Sequence, residues 1–461
     1  MAEQASPAPF KVIQVCSVAP LHEPTISTIV PTSLPLTFFD LLWLRLTPVK
    51  CLYFYPFPHP ISSFHHSLLP SLKHSLSLTL QHFLPFAGTL TWPCHSPKPI
   101  INYLPGDTVS FVVAESNKNF NHLSSQLCEA SQRHGLAPDL AISNDKASLL
   151  AIQVTVFPNA GFCIGINAHH AAFDGKSATM FMKSWASICS KLKNPNTSTP
   201  TPSLPHHLTP FCDRSLIREP TGIAEVYVDT WMNHNGSTNR SLKPWEVVTT
   251  KLSDGLKGLF ELTPSQILKL KQHANSKVKM NVHPSTFSVT CAYVLACLVK
   301  VRQVKEDTVG FIFYIDCRSR LDPPIPATYF GNCVAKQMVV ALTKELVGND
   351  GFICAVEGIS EALNRVKDEG VLNGAERWVS DMNEFLEGRI SVVGSPRFEV
   401  YSIDFGCGRP KKVDISSIDG EEAFSLNESR DIHGGVEIGL TLSKAEMEEF
   451  TTLFIQGLDS L

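Results

Sequence analysis

Several local signals are missing from this chain, and each absence removes a class of function. No stretch gathers the lysines and arginines that nucleic acid or an anionic membrane would need, and 39 basic against 43 acidic residues leave a formal charge of only −4. No nucleic acid is expected as a partner, and an anionic ligand has to be met by a few local cations or by helix N-termini. The 13 cysteines are scattered, odd in number and nowhere closer than Cys291 and Cys297, which leaves no CxxC redox pair and no zinc knuckle. Reduced, mostly buried thiols are expected instead. There is no GxSxG elbow and no cysteine in an activating setting, so no nucleophile for covalent catalysis stands out. Long apolar runs are also missing. The opening MAEQASPAPFKVIQV has no basic region before an apolar core, and LPLTFFDLLWLRL is interrupted by Asp40 and Arg45, so a cytoplasmic protein without a membrane anchor is expected.

What is present describes a globular protein: 43% of residues are hydrophobic and 18% charged. A chain of 461 residues exceeds the roughly 250–300 that one core serves, so two domains are expected. Residues 194–210, NPNTSTPTPSLPHHLTP, have no periodicity and read as a linker. The expected division is residues 1–193, a crossover at 194–217, and residues 218–461. Helical spacing runs over residues 68–84 and after Gly175. The run TPSQ marks a helix start with Thr263 as cap, Pro264 in the first turn and Gln266 closing a capping box; Ser443 and Glu446 mark another. Residues 285–301 read as a buried helix. Residues 258–262, 309–316 and 436–442 read as strands, and 389–405 as two strand-like runs around Gly394–Pro396.

One hairpin carries the chemistry. Ile152, Val154 and Val156 alternate with polar residues, PNAG turns the chain, and Phe162, Ile164 and Ile166 alternate again. Extending that period of two turns His170 inward with Ala168, and His169 outward with Cys163, Gly165 and Asn167. An imidazole at the end of a strand, followed by two alanines and the turn-forming Asp174-Gly175, is placed to meet a ligand from a fixed scaffold, and its near-neutral pKa suits proton transfer. A core histidine bonded to a backbone carbonyl is the plainer alternative. Adjacent strand residues face opposite ways, so His169 and His170 do not readily share a metal ion; none is expected. With no protein nucleophile, direct attack by an acceptor remains. One base can take the proton of an attacking hydroxyl and return it to a departing thiolate.

The run His170-Ala171-Ala172-Phe173-Asp174-Gly175 resembles the HxxxDG signature of the BAHD family of acyl-CoA-dependent acyltransferases. Asp404-Phe405-Gly406-Cys407-Gly408-Arg409-Pro410 is similar to that family's second signature, DFGWG, with Cys407 in place of the usual Trp. YFGNC at Tyr329–Cys333, LPLTFFD at Leu34–Asp40 and PFCDRS at Pro210–Ser215 look like the branch that acylates anthocyanins and other phenolic glucosides, so the resemblance spans nearly the whole chain.

The resemblance implies an α/β fold like that of chloramphenicol acetyltransferase. It has two similar-sized mixed-sheet domains joined by a crossover loop, with the active-site channel between them. It implies transfer of an acyl group, malonyl from malonyl-CoA in this branch, to a sugar hydroxyl, commonly glucose 6-OH, of a phenolic glucoside; a coumaroyl-type donor is the alternative. The partners are small molecules, no resident cofactor is implied, and a monomer is expected. His170 is the implied base. Asp174 and Asp404 are carried as candidate catalytic residues, each with a structural alternative: Asp174 as ion-pair partner of Arg318, and Asp404 as the acceptor of a tight turn, with Arg409 structural beside it. Ser285 and Thr286 are candidates for coenzyme A contact, or simply a helix cap. Lys176 and Lys183, seven residues apart, are cations for a donor carboxylate, with Lys183 at the position implied by the resemblance. Phe38, Phe39 and Trp43 are candidates to stack on the acceptor's rings, or to pack the core.

Overall fold

The computed structural model describes residues 10–21, 32–193, 203–233, 239–245, 255–279, 282–381 and 388–461. Two mixed sheets dominate. The first has six strands in the order Lys11–Val18, Val109–Glu115, Leu150–Phe157, Gly161–Ala168, Val49–Pro56, Lys412–Ile415. The second has seven, in the order Val334–Leu342, Thr308–Asp316, Arg389–Gly394, Ala423–Glu428, Val436–Leu442, Leu256–Leu262, Leu127–Glu129. A small four-stranded sheet, Thr32–Pro35, Ile100–Tyr103, Thr89–Thr91 and Lys146–Ser148, flanks the first.

The expected hairpin is there, with Phe162 opposite Val156 and Ile166 opposite Ile152. Both of its strands are buried on both faces, because Phe120, Leu123 and Leu136 cover the side the alternation assigned to solvent. Gln153 meets that cover polar to polar, donating from Nε2 to Gly135 O at 2.6 Å. The capping boxes at Thr263/Gln266 and Ser443/Glu446 form as read, opening helices Pro264–Lys277 and Lys444–Asp459. Helix Thr286–Arg302 is buried on nearly every side. The second strand-like run before Phe405 is a correction: after Arg389–Gly394 the chain folds into short 3-10 turns at Pro396–Phe398 and Val400–Ser402, where Glu399 takes a left-handed φ of 51° that breaks any strand.

The sheets exchange strands across the chain halves. Lys412–Ile415 completes the first sheet and Leu127–Glu129 the second. The exchange is pinned by buried charges, with Asp414 2.5 Å from Arg133 and 3.2 Å from Lys257, which also reaches Asp419 at 2.8 Å. Burial opposes ionisation of Asp414, but these cations outweigh it and hold the carboxyl below its ordinary range. Of the expected crossover, 194–202 lies outside the described residues. The stretch 203–217 is docked rather than free: Phe211 bridges Tyr329, and Arg214 is buried. No helix among the described residues is long and apolar enough to cross a membrane.

Candidate active site

The strand ends at Ala168, one residue short of the two histidines. His169 then caps a 3-10 turn, His170–Ala172, accepting at Nδ1 from the Ala171 amide at 3.3 Å. His169 is therefore 1% exposed and buried, not outward as the alternation implied. Asp174 caps the next helix, Gly175–Leu192, accepting from the Ser177 amide at 2.9 Å. Gly175 is required by a close approach, since a Cβ there would lie 2.7 Å from the Phe398 ring.

The turn delivers His170 to a cavity of about 2220 Å³ between the two large sheets, lined by Val49, Tyr53 and Val413 from the first and by Ile312, Tyr314 and Val392 from the second. A pocket for one drug-sized ligand is roughly 300–1,000 Å³, so two substrates fit together. The His170 ring lies parallel to Trp43, at 3.8 Å and 5°, and to Phe173, at 6.0 Å and 4°. Its Nδ1 is buried and makes no well-formed hydrogen bond among the described residues. Burial pushes the imidazole down to about 4, although its own backbone, the charge of Asp174, the Asn332 side chain and the backbone of Phe173 favour the protonated form. At neutral pH the ring is uncharged and ready to accept a proton.

Asp174 does not orient this ring. Its carboxylate faces Arg318 at 2.8 and 3.1 Å and accepts from the Cys333 amide at 3.1 Å. Arg318 also donates to the carbonyls of Tyr329 at 3.0 Å and Gly331 at 3.1 Å. Burial works against its charge, but Asp174 and Asp316 outweigh that and raise its pKa. Asp174 is thus placed in a buried ion pair with Arg318, the geometry of the second of its two readings. A further layer was not assigned a role from the sequence: Asp40 Oδ1 accepts from Asn332 N at 3.1 Å and Nδ2 at 3.0 Å, and Asn332 Nδ2 also donates to His170 O at 2.9 Å. Arg214 lies 3.3 Å from Asp40 and donates to Phe330 O at 2.8 Å. The signal was available, since these residues sit inside LPLTFFD, YFGNC and PFCDRS.

Asp404 is not among the cavity-lining residues. Its Oδ1 accepts from the amides of Gly406, Cys407 and Gly408 at 2.7, 3.0 and 2.8 Å, a turn that places both glycines at positive φ, 77° and 95°. Phe405 anchors the loop edge-on to Trp185 at 4.8 Å and Tyr55 at 5.7 Å. Arg409 donates to Tyr401 O at 3.1 Å and Arg430 O at 2.5 Å, in keeping with a structural place. Cys407 is half-buried beside that turn, away from the cavity.

The binding candidates divide. Trp43 lines the cavity, whereas Phe38 and Phe39 are core residues with 0% exposure, stacked on each other at 4.1 Å. Ser285 caps its helix through Ser288 N at 3.0 Å, and neither it nor Thr286 lines the cavity. Lys183 pairs with Glu399 at 3.1 Å outside it; the cavity-facing cation of that helix is Lys176, 2.9 Å from Asp316. Seven residues are two turns, 20° short of a full register, but Lys183 lies two turns farther from the helix start and past the cavity wall. Arg320, Lys305, Arg389 and Arg397 also line the cavity. Among the described residues, no group of three or more His, Cys, Asp or Glu is arranged to hold a metal.

The sequence profile of the Transferase family matches residues 23–455. The chain is 38% identical over 481 aligned residues to phenolic glucoside malonyltransferase 1 of Arabidopsis thaliana, covering 100% of both chains. It is 39% identical over 441 residues to malonyl-CoA:anthocyanidin 5-O-glucoside-6''-O-malonyltransferase of the same plant, covering 93% of this chain and 95% of the relative. Among solved structures, vinorine synthase superposes with a TM-score of 0.66 at 20% identity, over 95% of this chain and 96% of that one, a likeness of fold.

Proposed function

This chain belongs to the Transferase (BAHD) family, and from that membership we propose that it moves a malonyl group from malonyl-CoA to a sugar hydroxyl of a phenolic glucoside. The observation that carries the reaction type is a single neutral imidazole, His170, facing a two-substrate cavity without a neighbouring nucleophile in an activating setting. His170 takes the proton of the acceptor hydroxyl as its oxygen attacks the thioester carbonyl. When the tetrahedral intermediate collapses and the C–S bond breaks, the same proton passes to the departing thiolate. No acyl-enzyme forms. Asp174, Arg318 and Asn332 hold the turn that carries the ring; Asp404 and Arg409 hold the loop behind the helix. The free carboxylate of malonyl is met by Lys176, and the anionic coenzyme A by the few local cations of the cavity.

The two malonyltransferase relatives support the donor and acceptor class. On this reading the enzyme is a cytoplasmic monomer acting on small molecules, with no resident cofactor. The test is incubation of purified protein with malonyl-CoA or coumaroyl-CoA and a panel of phenolic glucosides, following free thiol and product mass. Malonylated glucoside with thiol released one for one is expected; turnover of coumaroyl-CoA alone would overturn the donor assignment.

A further inference from the structure

We infer that Trp43 is a positioning residue for His170: its indole face fixes the imidazole in its cavity-facing orientation and stabilises the charge that the ring acquires during proton transfer. The inference rests on the reading of His170 as the base. In a triad a carboxylate orients the histidine through Nδ1 and stabilises the imidazolium. Here no carboxylate bonds the ring, because the Asp174 carboxylate is held by Arg318 at 2.8 Å and acts on the imidazole only through its charge, and Nδ1 has no well-formed hydrogen bond among the described residues. What the ring does have is a flat aromatic face at 3.8 Å and 5°. A neutral imidazole gains dispersion from that face; an imidazolium gains in addition the attraction of a cation to the π-quadrupole, strongest for Trp and stronger where water is excluded.

The two rings are registered through one network. The Trp43 amide donates to Asp40 O at 3.1 Å, Asn332 donates to the Asp40 carboxylate at 3.0 Å, and Asn332 Nδ2 also donates to His170 O at 2.9 Å. Tyr314, with its ring 4.8 Å away and tilted 47°, supports Trp43. The indole N–H is itself without a partner among the described residues, so the ring contributes its face and no hydrogen bond within the protein. The charged and titratable groups on the elements around His170 are His169, Asp174, Lys176, Tyr314, Asp316, Arg318, Asp40 and Arg214. Asp174 carries the main charge felt by the imidazole. Replacing Trp43 alters none of these charged groups and removes the aromatic face together with its packing on Tyr314.

The test compares wild type, Trp43→Leu, Trp43→Phe and His170→Ala with malonyl-CoA and a phenolic glucoside, measuring kcat, both KM values and thermal stability from about pH 3 to pH 8.5, so that the window brackets an acid limb near 4. Trp43→Leu is expected to lower kcat roughly tenfold, with the malonyl-CoA KM unchanged. A face that favours imidazolium raises its pKa, so removing it moves the acid limb of kcat/KM to lower pH; Trp43→Phe falls between and carries the test if the leucine variant does not fold. An unmoved limb in the phenylalanine variant, or an unmoved limb with a raised acceptor KM, overturns the inference, the second outcome making Trp43 an acceptor platform. Full turnover in His170→Ala overturns the base itself, whereas an inactive His170→Ala beside an unchanged Trp43→Leu removes only the role of Trp43.

Discussion

The turns at His170–Gly175 and Asp404–Gly408 are built alike, each with an aspartate accepting backbone amides and a glycine, for a close approach at Gly175 and for positive φ at Gly406 and Gly408, yet only the first reaches the cavity. The difference lies in which polar atoms are left unpaired. Around Asp404 the carboxylate takes three amides of its own loop. Around His170 the aspartate is equally occupied, but the imidazole beside it is left without a firm partner. On the proposed mechanism, reactivity belongs to the unpaired imidazole and the aspartates of both signatures hold backbone.

Five substitutions sharpen that contrast. His170→Ala should cost about 100- to 10,000-fold in turnover with the fold intact, read by steady-state rates beside a melting curve. Asp174→Asn should remove about 3–5 kcal/mol of stability, because Arg318 loses its buried anion and keeps only the partly exposed Asp316, and should lower the rate as well; unchanged denaturation with lost activity would return Asp174 to the chemistry. Asp404→Ala should cost about 1–2 kcal/mol, the scale of losing a carboxylate that caps backbone amides, and reduce kcat only as far as the loop loosens. Smallest is the pair of lysines. Lys176→Ala should raise the malonyl-CoA KM about three- to tenfold while sparing acetyl-CoA, and Lys183→Ala should change either within about twofold, since its partner Glu399 lies at the surface.

The sequence made the local features of the fold readable wherever a short-range rule governs. Capping boxes at Thr263 and Ser443, the 150–168 hairpin and the buried helix 286–302 each follow from contacts within a few residues. What it did not carry was long-range cover. His169 was read as outward because alternation assumes one solvated face and a strand that continues; Phe120 and Leu136 cover that face at Cys163, and the strand ends before His169, which caps the following turn. The same limit explains the strand exchange and the placement of Lys176 against Lys183, since neither period nor composition says where the opposite wall of the cavity lies. Asn332 and Asp40 were visible as motif members, but their roles depend on hydrogen bonds spanning 162 and 292 residues.

Direct transfer with His170 as both base and acid is tested most directly by rapid-quench mixing with malonyl-CoA, with and without acceptor glucoside, following free thiol and intact protein mass. Wild type should release thiol only when acceptor is present, one for one with product and with no gain in protein mass, and His170→Ala should release none above background. A stoichiometric burst of thiol without acceptor, together with a malonyl adduct on the protein, would contradict it.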